Sequence, residues 1–322
     1  MKRLSLLVCL LILSSCASTP QSRQIRSKLP DSLPSAVELA DTPFYPQSEY
    51  QCGPAALATL LQFHGVKTTP EELSRQIYIP DRKGSLQIEI TTAARRHEML
   101  PYQIEPQMLD LFTEIAAGNP VLVLQNLSFE WYPKWHYAVV IGYDTNRHEI
   151  MLRSGTTQRW VTPFEVFERT WQRADSWALA IVPVGVIPKT AKPLRYLKTA
   201  YAFEETGHPE LALKAYRSAS QQWPDVADAW MALGNVAYQN NDWSEAIKAF
   251  TSASRLAPES VAGWNNLAYA LYAYGCGAQA QMSLQCGLKL SPADKNLQNS
   301  WHELTASPVS NDAVACPMVQ CY

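Results

Sequence analysis

Residues 41–185 read as an α+β domain with an antiparallel sheet, and residues 193–304 as an all-α repeat solenoid. Two patterns carry this reading. In the first region, helical stretches give way to apolar runs of strand length bounded by turn residues. In the second, apolar, small and proline positions recur every 34 residues, the mark of stacked helical hairpins. A third observation sets the start of the chain apart. Lys2 and Arg3 precede an unbroken apolar run from Leu6 to Leu13, which is too short to span a bilayer and fits the core of a signal peptide.

The length of 322 residues suits two domains, and 47% hydrophobic residues suffice for packed cores. A net charge of −2 gives no reason to expect nucleic acid as a partner. No glycine-rich phosphate loop occurs. His64, His97, His148, His208 and His302 show no metal-ligand spacing, so neither a cofactor nor a metal is expected.

The apolar run ends in Leu13-Ser14-Ser15-Cys16. This resembles the lipobox of bacterial lipoproteins, which implies cleavage after residue 15, a lipid on Cys16 and attachment to a membrane. Ala17 in place of Asp points to the outer membrane, facing the periplasm. Residues 16–40 are polar and aperiodic and are expected to be a flexible tether. Outside the cytoplasm, disulfides become possible among Cys276, Cys286, Cys316 and Cys321. Their pairing is open, although Cys316 and Cys321 are close enough in sequence to pair. Cys52 is the thiol expected to stay free.

Within 41–185, Cys52-Gly53-Pro54 heads the helical run Ala55 to Phe63, with Gly65 as its stop. Thr69-Pro70-Glu71-Glu72 is a capping box opening a second helix. A third helix follows Gly84-Ser85, and a fourth spans Pro106 to Ala117. Strands are expected at Pro120 to Gln125, His136 to Tyr143, Glu149 to Arg153 and Trp177 to Val182, with a short helix after Thr162-Pro163. A cysteine at a helix start benefits from the positive end of the helix, which favours the thiolate. A histidine at a strand start can meet it across a cleft and exchange a proton with it. Trp131, Tyr132 and Trp135 precede His136 in a Pro-containing loop and fit two readings, lining a substrate cleft or packing within the loop.

The segments Pro46 to Ala55, Gly118-Asn119-Pro120-Val121 and His136 to Asp144 together resemble the bacteriocin-processing double-glycine peptidase family, whose fold is papain-like. The resemblance implies Cys52 as nucleophile, His136 as general base and Gln47 as oxyanion donor beside the Cys52 backbone N–H. One position departs from the pattern. Where the family places an Asp after the strand following the histidine strand, this chain reads Arg153-Ser154-Gly155, so no third member is assigned.

The second region resembles the tetratricopeptide repeat. Trp230-x-x-Leu233-Gly234, Ala246, Phe250, Ala253 and Pro258 form one unit, and the units are expected at 193–226, 227–260 and 261–294, with 295–304 as a capping helix. Trp230 and Trp264 are expected in the core, and residues 305–322 as a disordered tail. Two functions fit. One is an envelope-anchored cysteine peptidase or related amide hydrolase whose repeats recruit a protein or peptide. The other is a non-catalytic, lipid-anchored repeat scaffold with a degenerate peptidase fold.

Overall fold

The structure is a computed structural model that describes residues 18–47, 50–306 and 315–321. The signal segment, Cys16 and the lipobox lie outside the described residues. The chain divides into two compact units, Met1–Pro183 with Pro188–Thr190, and Val184–Ile187 with Ala191–Tyr322.

The first unit is built on a seven-stranded antiparallel sheet. Its strands are β1 (Ala36–Glu38), β2 (Met99–Gln103), β3 (Val121–Asn126), β4 (Trp135–Asp144), β5 (Glu149–Ser154), β6 (Thr157–Pro163) and β7 (Ala178–Pro183). Their order is β2-β7-β3-β4-β5-β6, with β1 paired to β4. Strand β3 pairs with residues 135–140 of β4, and β1 takes over along residues 142–144. The helices are α1 (Pro20–Ser27), α2 (Cys52–Phe63), α3 (Pro70–Ile77), α4 (Gln87–Arg96), α5 (Met108–Ala116) and α6 (Phe164–Gln172).

Alternation along the strands gives the sheet two apolar faces. Leu122, Leu124, Tyr137, Val139 and Ile141 meet α2, α3 and α4 in one core. A bulge between Val140 and Gly142 switches the alternation, so Tyr143 stacks on Phe112 of α5 with ring centroids 4.1 Å apart. Helix α2 is buried on nearly every side, from Gly53 to Leu61, as expected of a central helix packed on a sheet. The Thr69 capping box is formed: Glu72 N donates to Thr69 Oγ1 at 3.2 Å and Thr69 N to Glu72 Oε2 at 3.1 Å.

Residues 18–40 are not a free tether. Helix α1 docks by its N-terminus, where the Gln21 and Ser22 amides donate to the buried Glu168 carboxylate at 3.0 and 2.7 Å. A carboxylate satisfies both the orphan amides and the dipole of a helix start. Ile25 is buried beneath α1, and β1 adds to the sheet. With one buried apolar side chain and a three-residue strand, the segment has too little periodicity to stand out from its composition.

The second unit holds α7 (Pro193–Glu205), α8 (Pro209–Gln222), α9 (Ala227–Gln239), α10 (Trp243–Leu256), α11 (Val261–Ala273), α12 (Gly277–Leu290) and α13 (Lys295–Ala306). The first helices of successive units start at 193, 227, 261 and 295, which is the 34-residue step. The step repeats at atomic detail. Trp230 and Trp264 each donate Nε1–H to a carbonyl six residues back, Pro224 and Pro258, at 2.8 Å. Gln298 repeats the bond to Pro292 at 2.8 Å, so α13 opens as a further first helix. A Cβ on Gly234 would sit 2.5 Å from the Phe250 ring, which is why the small residue faces the aromatic one.

Two expectations fail here. Trp264 is 2% exposed, but Trp230 is only half-buried. Nor are residues 315–321 a free disordered tail: Cys316 bonds Cys276 and Cys321 bonds Cys286, a pairing the sequence left open, which ties this segment to α12 and its approach. Only the fold brings cysteines 40 and 35 residues apart within bonding reach.

Truncation of Trp264 to Ala should therefore cost about 3–5 kcal/mol, the usual loss for a buried large aromatic. Trp230→Ala should cost clearly less. Urea unfolding of both variants checks the order; equal losses would contradict the burial difference.

Candidate active site

Cys52 is the first residue of α2 and the free cysteine among the described residues. The residue after it must be small. A Cβ on Gly53 would lie 2.8 Å from Ser85 Oγ, so glycine lets the helix start press against the turn that leads into α4. That turn also meets β4, where Tyr137 donates its hydroxyl to the Ser85 carbonyl at 3.2 Å. The Tyr137 backbone N–H points at the Cys52 sulfur, together with the amides of Gly53 and Cys52 itself. Cys52 thus sits at the peptide that joins His136 to Tyr137.

The His136 ring reaches the end of the next strand, where Nε2 lies 2.9 Å from Ser154 Oγ. With Nε2 engaged there, Nδ1 is the nitrogen free to exchange a proton with another group. One residue further, Gly155 holds Gln47. Gln47 N donates to the Gly155 carbonyl at 3.0 Å, and Gly155 N donates to Gln47 Oε1 at 3.1 Å. Since Oε1 takes that amide, the Gln47 NH2 is turned the other way as a donor. The residue before Ser154 ties in the approach to Gln47. Arg153 is buried, and its guanidinium donates to the carbonyls of Ala40, Thr42 and Gln158 at 2.6–2.9 Å.

Of the residues singled out from sequence, His136 and Gln47 therefore meet one short stretch, Ser154-Gly155, while Cys52 meets the Tyr137 amide next to His136. Ser154 is the member that sequence reasoning missed. It occupies the position where a carboxylate was looked for, and a lone Ser at a strand end carries no signal of its own.

The electrostatics differ from expectation. Burial pushes the Cys52 thiol up, outweighing the three backbone amides that favour the thiolate. A helix N-terminus contributes about 0.3–1 kcal/mol, whereas burial of a charged group can move a pKa by roughly 3–5 units. Burial also pulls His136 down to about 4, helped by the charge of Lys134. Both shifts favour an uncharged thiol and an uncharged imidazole at neutral pH. Ser154 offers no negative charge to reverse this, as a carboxylate would.

Residues 39–179 match the model of the Peptidase_C39 like family, and residues 197–260 and 232–275 match that of the tetratricopeptide repeat. The chain carries a C39-like peptidase domain followed by tetratricopeptide repeats. Among solved structures, a candidate C39-like peptidase from Bacillus anthracis aligns at 19% identity, with 46% of this chain and 98% of that one covered and a TM-score of 0.40. The first tetratricopeptide domain of Spaghetti (RPAP3), bound to an HSP90 peptide, aligns at 14% identity over 36% of this chain and 91% of that one, with a TM-score of 0.34. MamA aligns at 16% identity over 36% and 67%, with a TM-score of 0.34. No curated protein matches the chain.

In the C39-like domain, the His136 imidazole should titrate near pH 4. An unfolded chain binds that proton at about 6.5. Between the two values the unfolded state holds more protons, so this group lowers stability as pH falls through that window and adds nothing further below it. NMR titration of His136, with urea unfolding at pH 7 and pH 4.5, checks both statements. Ser154→Asp should raise the His136 value; a titration that does not move would remove Ser154 from the imidazole's environment.

Proposed function

We propose that the C39-like domain is a thiol amide hydrolase acting on peptides, anchored at the cell envelope, with the tetratricopeptide repeats recruiting a protein or peptide. The observation that supports this reading is that His136 and Gln47 both meet the end of β5 while the Cys52 sulfur meets the amide next to His136. Cys52 is the nucleophile. Because thiol and imidazole are uncharged at rest, His136 acts as a general base: its free nitrogen takes the thiol proton as sulfur attacks the carbonyl carbon. The carbonyl oxygen gains the charge, which the Gln47 NH2 and the Cys52 backbone N–H are suited to receive. The imidazolium then protonates the departing amine, and water releases the acyl group from sulfur. Ser154 orients the ring by its bond to Nε2.

A concavity in the second unit supports a recruiting role. A groove of about 590 Å³ is lined by Tyr201, Tyr238, Tyr269, Asn235, Asn266 and Glu204, among others. Side-chain amides and tyrosines suit an extended peptide whose backbone needs partners. The export half of the proposal rests on Leu13-Ser14-Ser15-Cys16 and gains support from the two disulfides, which persist in oxidising compartments. Among the described residues no helix is long and apolar enough to cross a membrane, so the lipid on Cys16 would be the anchor.

Cys52→Ala should abolish hydrolysis of peptide amides by the purified chain. Gln47→Ala should slow it by roughly 10²–10³, as when one oxyanion donor is lost, without unfolding the domain. A native chain that cleaves no peptide from a mixed library, and whose Cys52 reacts no faster with iodoacetamide after His136 is restored to a His136→Ala variant, would leave the scaffold reading in its place. For the anchor, Cys16→Ala should release the chain from membranes on fractionation. An unchanged mature mass and membrane partition would rule the lipid out.

A further inference from the structure

The hairpin between β3 and β4 presents a run of large apolar side chains to solvent. Trp131 is 81% exposed, Tyr132 69%, Phe129 63%, Trp135 53% and Leu127 45%. A loop that exposes this much apolar surface would normally collapse on itself or be loosely held. This one is neither. Asn126 Oδ1 accepts from the amides of Ser128 and Lys134 at 3.0 and 2.9 Å, and its Nδ2 donates to the Phe129 carbonyl at 3.2 Å. Arg173 Nη1 donates to the Ser128 carbonyl at 2.6 Å. Leu127 N donates to the Lys134 carbonyl at 2.9 Å, and Tyr132 N to that of Phe129 at 3.2 Å. The backbone is pinned, while the rings of Phe129 and Trp131 stack with centroids 5.7 Å apart in the open.

The loop runs directly into the site. Trp135 is bonded to His136, and by strand alternation it shares a face of β4 with Tyr137, whose side chain lies in the core against which Cys52 packs. The second segment at Tyr137 is the turn at Ser85, and the next residue, Leu86, is itself 39% exposed. Exposed apolar side chains thus stand next to both segments that meet the start of α2, Leu86 beside Ser85 and Trp135 two residues before Tyr137, about fifty residues apart in sequence. The loop carries one cation, Lys134, and one anion, Glu130, so it lacks the basic excess that draws a protein to an anionic lipid surface.

We propose that residues 127–135 form the specificity wall of the Cys52 cleft, selecting peptide substrates with a large apolar side chain, aromatic by preference, beside the scissile amide. This rests on the thiol hydrolase reading and adds its substrate class. Pinned aromatic rings offer contact area with little conformational entropy left to lose, which makes them effective selectors.

The test uses two alkylating reagents with the same electrophile, N-iodoacetyl phenethylamine and N-iodoacetyl ethanolamine. In each, the Cys52 sulfur–carbon bond forms, carbon–iodine breaks, iodide leaves and the thiol proton passes to His136 or to buffer. The ratio of the two rates on the full chain cancels the intrinsic reactivity of Cys52. The native chain should favour the aromatic reagent on the order of tenfold or more, the range a hydrophobic pocket supplies. Trp131→Ala and Trp135→Ala should each lower that ratio, whereas Tyr201→Ala in the repeats should not. Trp131 is so exposed that its loss leaves the fold intact. A native ratio near one, or equal losses in all three variants, would overturn the proposal. So would binding to phosphatidylcholine–phosphatidylglycerol vesicles that Trp131→Ala abolishes while the ratio stays put. A high ratio with rates that His136→Ala leaves unchanged would uphold the wall and count against the hydrolase; rates that fall in His136→Ala with a ratio of one would do the reverse.

Discussion

The end of β5 is the point on which the C39-like domain turns. Three consecutive residues there face three different elements. Arg153 donates to the carbonyls of Ala40 and Thr42, Ser154 meets the His136 ring, and Gly155 exchanges two hydrogen bonds with Gln47. Burying a guanidinium is costly unless its N–H groups are satisfied, and here they bond to backbone carbonyls. That arrangement holds the segment leading to Gln47 against the strand that carries Ser154. The register of β5 on β4 thereby sets the distance between the proposed oxyanion donor and the imidazole.

The same geometry shapes the chemistry available. A carboxylate beside the imidazole would hold a positive ring and, through it, a thiolate. A serine hydroxyl orients the ring without supplying charge. Burial acts on both groups and favours the uncharged thiol and the uncharged imidazole. An uncharged pair is less reactive toward adventitious electrophiles and depends on the substrate carbonyl to draw the proton across. Under the proposed function this links the Ser154 position to the aromatic loop: a nucleophile with little reactivity of its own would gain most from a substrate held in place by the loop.

The repeats obey a different economy. Each hairpin buries its apolar stripe against its neighbours, and the contacts are repeated rather than specialised, as in the Trp230, Trp264 and Gln298 bonds to the carbonyls of Pro224, Pro258 and Pro292. Such arrays are weakest at their ends. Two disulfides at α12 reinforce that end here, joining residues 315–321 to the last full hairpin.

Much of this was legible in the order of residues. A 34-residue period is a property of sequence itself, so the hairpin boundaries followed from it almost to the residue. Cys52 at a helix start and His136 at a strand start were legible because local rules govern helix caps and apolar strands. Other features depended on partners distant in the chain. Helix α1 exists because Glu168, 146 residues from Ser22, receives its N-terminal amides. Strands β2 and β6 were not anticipated, since Pro101 breaks one pattern and β6 is largely exposed. The disulfide pairing follows from proximity in the fold, and the difference between Trp230 and Trp264 and the depressed imidazole follow from burial; no local pattern encodes either. Ser154 shows the limit most clearly. Its type says nothing, and it became a site residue only because pairing of β4 with β5 set its hydroxyl 2.9 Å from His136. Periodicity and capping are local and can be read along a chain; proximity and desolvation are set by the tertiary structure alone.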